Sequence, residues 1–221
     1  MSKDYDKVFK YLKDHIGNYS EAEINYIYKN YDYLESNRFV PDILRQIYDE
    51  LGLLDDKDNL YLGFINIIKD KFNIDSNIVE VGGGVIPSLG KNITLNQKSG
   101  TVTVYDPRLV DGNYDNKLIL KKEYFNDKTD ISNCDLVIGL MPCQATEVLI
   151  RQAGKYNKDF LIGLCEGGHN AFDDYFDDAI WKENIFYLAK KTIEGNGMGV
   201  LMETDLLDYD DPYPVIYNKR K

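Results

Sequence analysis

The chain has 221 residues, 43% of them hydrophobic and 29% charged, with a formal net charge of −11. That size holds one domain, or a domain with an added subdomain, and the apolar content is enough for a core, which excludes a disordered class. The acidic balance argues against nucleic acid as a partner, because phosphate contacts need clustered Lys and Arg.

No apolar run approaches the roughly 20 residues that cross a bilayer, so no membrane association is expected. Residues 1–13 are charged and lack the apolar segment of a signal peptide. The three cysteines, Cys134, Cys143 and Cys165, are an odd number without a framework spacing, which suits a reducing compartment and a cytoplasmic location.

Residues 1–72 read as helices. Ser2 caps a first helix through Tyr5, Val8, Phe9 and Leu12, ending near Gly17. Ser20 and Glu23 form a capping box for a second, which carries Ile24, Ile27, Tyr28, Tyr31 and Leu34. Pro41 suits the first turn of a third, through Ile43, Leu44, Ile47 and Leu51 to Gly52. Asp58 starts a fourth, with Leu60, Leu62, Ile65, Ile67 and Ile68. No Gly/Ser linker follows, so these helices are expected to dock on the remainder of the chain rather than swing freely.

From residue 77 the pattern alternates strands with helical or loop segments, the signature of a βαβ sheet. Strands are expected at 78–82, 101–105, 117–121, 134–140, 159–165, 198–203 and 214–218. Helices are expected at 145–154 and 173–192, the latter with Trp181, Ile185, Leu188 and Ala189 on its apolar face and Gly195 and Gly197 at its end. The expected division is a helical subdomain over 1–72 and a Rossmann-like α/β domain over 73–221, with five parallel strands and a C-terminal hairpin.

The chain is organised around residues 77–87, N-I-V-E-V-G-G-G-V-I-P. Gly82, Gly83 and Gly84 stand where a strand turns into a helix, so a ligand can approach the backbone closely. The next strand ends in Asp106. A Gly-rich turn after one parallel strand and an acid at the end of the next is the layout that holds a nucleoside, the acid accepting ribose hydroxyls. Asp106-Pro107 is also a plain turn signal, and Arg108 stands close enough in sequence to neutralise the acid.

Residues 80–84, E-V-G-G-G, with 104–106, V-Y-D, resemble the first two motifs of class I S-adenosylmethionine-dependent methyltransferases. The pattern departs at Ile86, where that family often has a third Gly, and the resemblance covers roughly residue 77 to the C-terminus. It implies S-adenosylmethionine as the cofactor. It places the glycines against its methionine and ribose, Glu80 at its amino group, and Glu123 at the adenine amino group with an aromatic neighbour on the ring. The plainer reading of Glu80 is a partner for a helix N-terminus.

The segment after the fourth strand, Met141-Pro142-Cys143-Gln144, faces the methyl acceptor in that family. It lacks the Asn/Asp-Pro-Pro-aromatic motif of many amino-group methyltransferases. Residues 135–144 resemble instead the catalytic motif of cytosine-C5 methyltransferases, where Cys143 would be the nucleophile and Glu166 would assist. No target-recognition region accompanies it, and a small residue before a helix explains Cys143 as well. His169, in a Gly-rich loop after the fifth strand, is either a general base or a surface histidine. Cys143, Cys165, Glu166 and His169 together have no recognised zinc spacing, so no metal is expected. The acids at 173, 174, 177 and 178 read as helix-dipole compensation.

The function expected is methyl transfer from S-adenosylmethionine to an unidentified small-molecule or protein acceptor. The alternatives are an NAD-dependent oxidoreductase, against which Glu80 and Pro87 speak, and a cofactor-binding scaffold without catalysis. Cytosine-C5-type transfer through Cys143 is a lesser alternative.

Overall fold

The computed structural model describes residues 3–15, 17, 19, 21, 24–25, 27–29, 31, 42–53, 60–164, 178–197, 201–205 and 214–220. Three helices come first: α1 (Lys3–Asp14), α2 (Asp42–Glu50) and α3 (Leu60–Lys71). Residues 24–25, 27–29 and 31 are also helical, as the spacing of Ile24, Ile27, Tyr28 and Tyr31 predicts, while Ser20, Glu23 and Leu34 lie outside the described residues. In α1 the predicted stripe is the buried one: Val8 and Leu12 are enclosed and Phe9 nearly so.

The sheet has seven strands: β1 (Ile78–Val81), β2 (Val102–Tyr105), β3 (Leu118–Lys121), β4 (Leu136–Leu140), β5 (Asp159–Gly163), β6 (Met202–Asp205) and β7 (Pro214–Asn218). Their order is β3-β2-β1-β4-β5-β7-β6. β1 to β5 are parallel, and β7 runs antiparallel between β5 and β6. β1 stops one residue before the expected end because Gly82 turns the chain at φ +78. Of the expected strand 198–203, residues 198–200 lie outside the described residues, and β6 runs two residues beyond its expected end.

Three helices complete the layers: α4 (Ser88–Asn96), α5 (Thr146–Lys155) and α6 (Asp178–Gly195). A single 3-10 turn, Cys143–Ala145, precedes α5 where a continuous helix from 145 is expected. The expected helix start at 173–177 lies outside the described residues. Alternate β1 residues separate two cores, as the period of two requires. Ile78 joins Phe64, Ile65 and Ile68 of α3 with Leu89 and Ile93 of α4. Val79 and Val81 join Leu149 and Ile150 of α5 with Trp181, Ile185 and Ala189 of α6. A third cluster holds Val8, Leu12, Ile27, Leu44 and Ile47 against Val85 and Ile86, just past the glycines.

The helices before residue 72 therefore do not pack as one unit: α3 covers the sheet, while α1 and α2 sit on the loop after β1. No helix of the described residues is long and apolar enough to cross a membrane.

Candidate functional site

The strand order reverses between β1 and β4, and in open α/β sheets ligands bind outside the carboxyl ends of the strands at that reversal. The chain leaves β1 there through the three glycines. Gly82 takes φ +78 and Gly84 φ +75, a region costly for residues with a Cβ. The Gly82 N–H donates to the Tyr105 carbonyl at 2.9 Å. At Gly82 a Cβ would stand 3.2 Å from the Pro142 backbone, and at Gly84 it would collide with the Gln46 amide.

Asp106 follows β2 and reaches back to this loop. Its Oδ2 accepts the Gly84 N–H at 3.0 Å. Its Oδ1 accepts the backbone N–H of Arg108 at 2.8 Å and, more weakly, the Arg108 Nε–H at 3.4 Å. The Asp106 side chain is 8% exposed and that of Arg108 51%, so the ion pair itself is solvent-screened and contributes little. A carboxylate offers about four acceptor positions; three donors leave capacity for a ligand hydroxyl.

A cleft of about 600 Å³ opens at this place, bordered by Gly82, Asp106, Tyr124, Phe125, Pro142 and Cys143. It thus draws on the ends of β1 to β4 and falls within the roughly 300–1,000 Å³ of small-molecule sites. Phe125 is buried edge-on against Tyr105, with centroids 5.5 Å apart, while Tyr124 is 75% exposed at the rim. Burial is the main reason the Tyr105 hydroxyl is held above its ordinary pKa, with the Glu123 charge adding to it.

A larger hollow of about 850 Å³ opens at the amino ends of the strands, beside Asp75, Asp135 and Asp159. Each of these carboxylates already accepts a backbone N–H, from Lys98, Asn77 and Arg220 respectively. They hold the strand starts together, on the edge opposite the switch point.

Glu80 is the acid that the resemblance puts at the cofactor amino group. It lies 3% exposed on the sheet face under α4, not among the residues bordering the cleft. The period of two sends it to that face while Val79 and Val81 take the other. A Cβ at Gly90 would lie 2.7 Å from its Oε2, so α4 can approach only because residue 90 is Gly. Burial pushes the Glu80 carboxyl up to about 8; the Gly90 backbone N–H works against this and the Asp106 charge adds to it. Oε2 has no hydrogen-bond partner. Burial thus favours the neutral form of the Glu80 carboxyl.

Glu123 is exposed and does not border the cleft; its two aromatic neighbours do. Cys143 is half-buried in the cleft wall, and its Sγ–H donates to the Met141 carbonyl at 3.3 Å. Met141 at φ 54 and Cys143 at φ 47 are both left-handed non-glycine residues. Backbone of that kind persists only where its surroundings over-determine it. Here Thr146 Oγ1 donates to the Cys143 carbonyl at 2.7 Å, and Ala145 N–H to the Pro142 carbonyl at 2.9 Å. Cys165, Glu166 and His169 lie outside the described residues. Among the described residues no three His, Cys, Asp or Glu are grouped to hold a metal.

The residue the sequence does not announce is Gln46 of α2. It is 6% exposed. Its Nε2 donates to the Gly83 carbonyl at 3.1 Å, and its Oε1 accepts the Ile86 N–H at 3.2 Å. The one available signal is an uncharged polar residue flanked by Leu44 and Ile47 on a helix's apolar face.

No family model matches the sequence, and no curated protein matches it in sequence. Solved structures do match the fold. A proposed S-adenosyl-L-methionine-dependent methyltransferase from Methanococcus maripaludis aligns at TM-score 0.50 and 13% identity, over 84% of this chain and 94% of that one. Human N-acetylserotonin methyltransferase, solved with S-adenosylmethionine, aligns at TM-score 0.49 and 14% identity over 98% of this chain. This chain spans 65% of the length of that enzyme. Magnesium protoporphyrin IX methyltransferase from Synechocystis, solved with S-adenosylhomocysteine, aligns at TM-score 0.49 and 12% identity, over 91% of this chain and all of that one. With the 3-2-1-4-5-7-6 strand order, the antiparallel seventh strand and the glycine turn after β1, the chain has the fold of class I S-adenosylmethionine-dependent methyltransferases.

Proposed function

We propose that the protein binds S-adenosylmethionine in the cleft at the β1/β4 switch and transfers its methyl group to a small-molecule or protein acceptor. One observation carries the reading: Asp106 and the glycine turn meet at the wall of a ligand-sized cleft at the carboxyl ends of the strands. The fit is chemical as well as spatial. Gly82 leaves the backbone at the cleft open to close approach, Asp106 keeps acceptor capacity for a ribose hydroxyl, and Tyr124 and Phe125 offer an aromatic wall for a purine.

The cofactor would supply an electrophilic methyl group; the chain's own task is alignment and exclusion of water. Met141 to Gln144 form the side of the cleft that faces an acceptor. α1 and α2 cover that side, and residues 73–221 hold the cofactor. In this reading Glu80 supports the loop as a neutral group beneath it. Glu123 lies too far to the outside to be more than a rim contact, and His169, Glu166 and Cys143 are the candidates for proton handling at the acceptor. The net charge of −11 favours a small molecule or a protein over nucleic acid.

Calorimetric titration of the purified chain with S-adenosylmethionine, S-adenosylhomocysteine and NAD tests this. Saturable binding of the first two and not the third is expected. Binding of NAD alone would replace methyl transfer by hydride transfer, and binding of none would leave a scaffold that kept the fold.

A further inference from the structure

We propose that Gln46 is a positioning residue for the cofactor loop, so that ligand binding in the cleft and docking of the N-terminal helices are one coupled equilibrium. The inference rests on the reading that this loop bears the cofactor.

A buried amide must find partners or destabilise its helix, and both ends of the Gln46 amide are taken by the loop. The backbone decides which end is which: the Gly83 carbonyl needs the NH₂ group, and the Ile86 N–H needs the oxygen. These two contacts bracket Gly84, whose own N–H goes to Asp106. The loop is therefore held from two directions, by Asp106 from the sheet and by Gln46 from α2. The space a Gly84 Cβ would need is filled by the Gln46 amide.

The same helix face continues the grip. Asp49 and Glu50 stand three and four positions on, hence on the same side as Gln46. They hold Lys91 of α4 at 3.3 and 2.8 Å, and Asp49 also accepts from Asn92 at 3.3 Å. Thus α2 straddles the loop and the helix it feeds. A ligand that favours the present loop conformation also favours α2 in place, and by linkage docked α2 favours the ligand by the same factor.

The test uses the full chain with S-adenosylhomocysteine as probe. Gln46→Leu removes both hydrogen bonds at similar size; Gln46→Glu keeps the acceptor for Ile86 and loses the donor to Gly83. Lys69→Ala is the control, because it removes a contact of α3 with Asn96 of α4 without touching α2 or the loop. Hydrogen exchange over 82–86 in the free chain should accelerate in both Gln46 variants and not in the control. Affinity should fall about tenfold in Gln46→Leu, the effect of roughly one net hydrogen bond, and less in Gln46→Glu. The ligand should slow exchange over 42–50 in wild type and control but not in Gln46→Leu, which a residue that only stabilised the fold would not produce. If Gln46→Leu fails to fold, Gln46→Glu decides the same points. Wild-type affinity and loop exchange in the Gln46 variants would overturn the inference alone. Absence of any binding by the wild type would overturn the cofactor reading, and the coupling with it.

Discussion

Asp106 performs two tasks with one carboxylate: it holds the Gly84 N–H and borders the cleft. Asp106→Ala leaves that buried N–H without its acceptor, a loss of about 1–3 kcal/mol, and should abolish cofactor binding. Asp106→Asn retains one oxygen for Gly84 while presenting NH₂ to the other donors. It should recover much of the stability but little of the affinity. Urea midpoints and titration of the two variants check this; wild-type stability in Asp106→Ala would show that the loop does not depend on the contact. Asp106 was legible because an acid ending an apolar strand is conspicuous. Glu80 was conspicuous for the same reason, yet neither its face nor the Gly90 contact shows in a one-dimensional motif. Gln46 was illegible because Gln in a helix ordinarily reads as solvated; only docking of α2 buries it.

At the scale of elements, the turn between β4 and α5 carries the backbone strain. Two left-handed non-glycine residues flank Pro142, in the segment expected only to join the strand to a helix from 145. Helical periodicity is blind to the 3-10 turn because that turn holds three residues, Cys143–Ala145. Cys143→Val should destabilise by about 1–2 kcal/mol, since a branched Cβ resists positive φ, whereas Cys143→Asn should be tolerated. Chemical denaturation of the pair measures the difference, and equal cost for both would mean the turn relaxes out of the left-handed region. The Asn variant has a second use: cofactor-dependent methylation that survives in it removes Cys143 as a nucleophile.

For the molecule as a whole, the buried Glu80 links folding to pH. Its ordinary value is 4.5 and its folded value about 8. Between these the unfolded chain releases a proton that the folded chain keeps, so stability falls as pH rises, and the loss levels off above about 8. The full linkage is at most on the order of 5 kcal/mol. Glu80→Gln preserves the neutral shape and removes the linkage, so its stability advantage over wild type should grow from pH 5 to pH 8. Urea midpoints at the two pH values measure it; an advantage that does not grow would place an ionised Glu80 in the fold.

The order of strands and helices after residue 77, the glycine turn and the acid after β2 follow from the sequence alone, because period, turn chemistry and an acid ending an apolar strand are local properties. Assigning a helix to a layer is not local. α3 reads like the helices before it, yet packs on the sheet through Phe64, Ile65 and Ile68, while α1 and α2 close on Val85 and Ile86. Nor can a motif tell that Glu80 faces a helix and Gln46 a loop. Burial and hydrogen-bond partners depend on what comes from elsewhere in the chain, and only the tertiary structure brings residue 46 to residue 83.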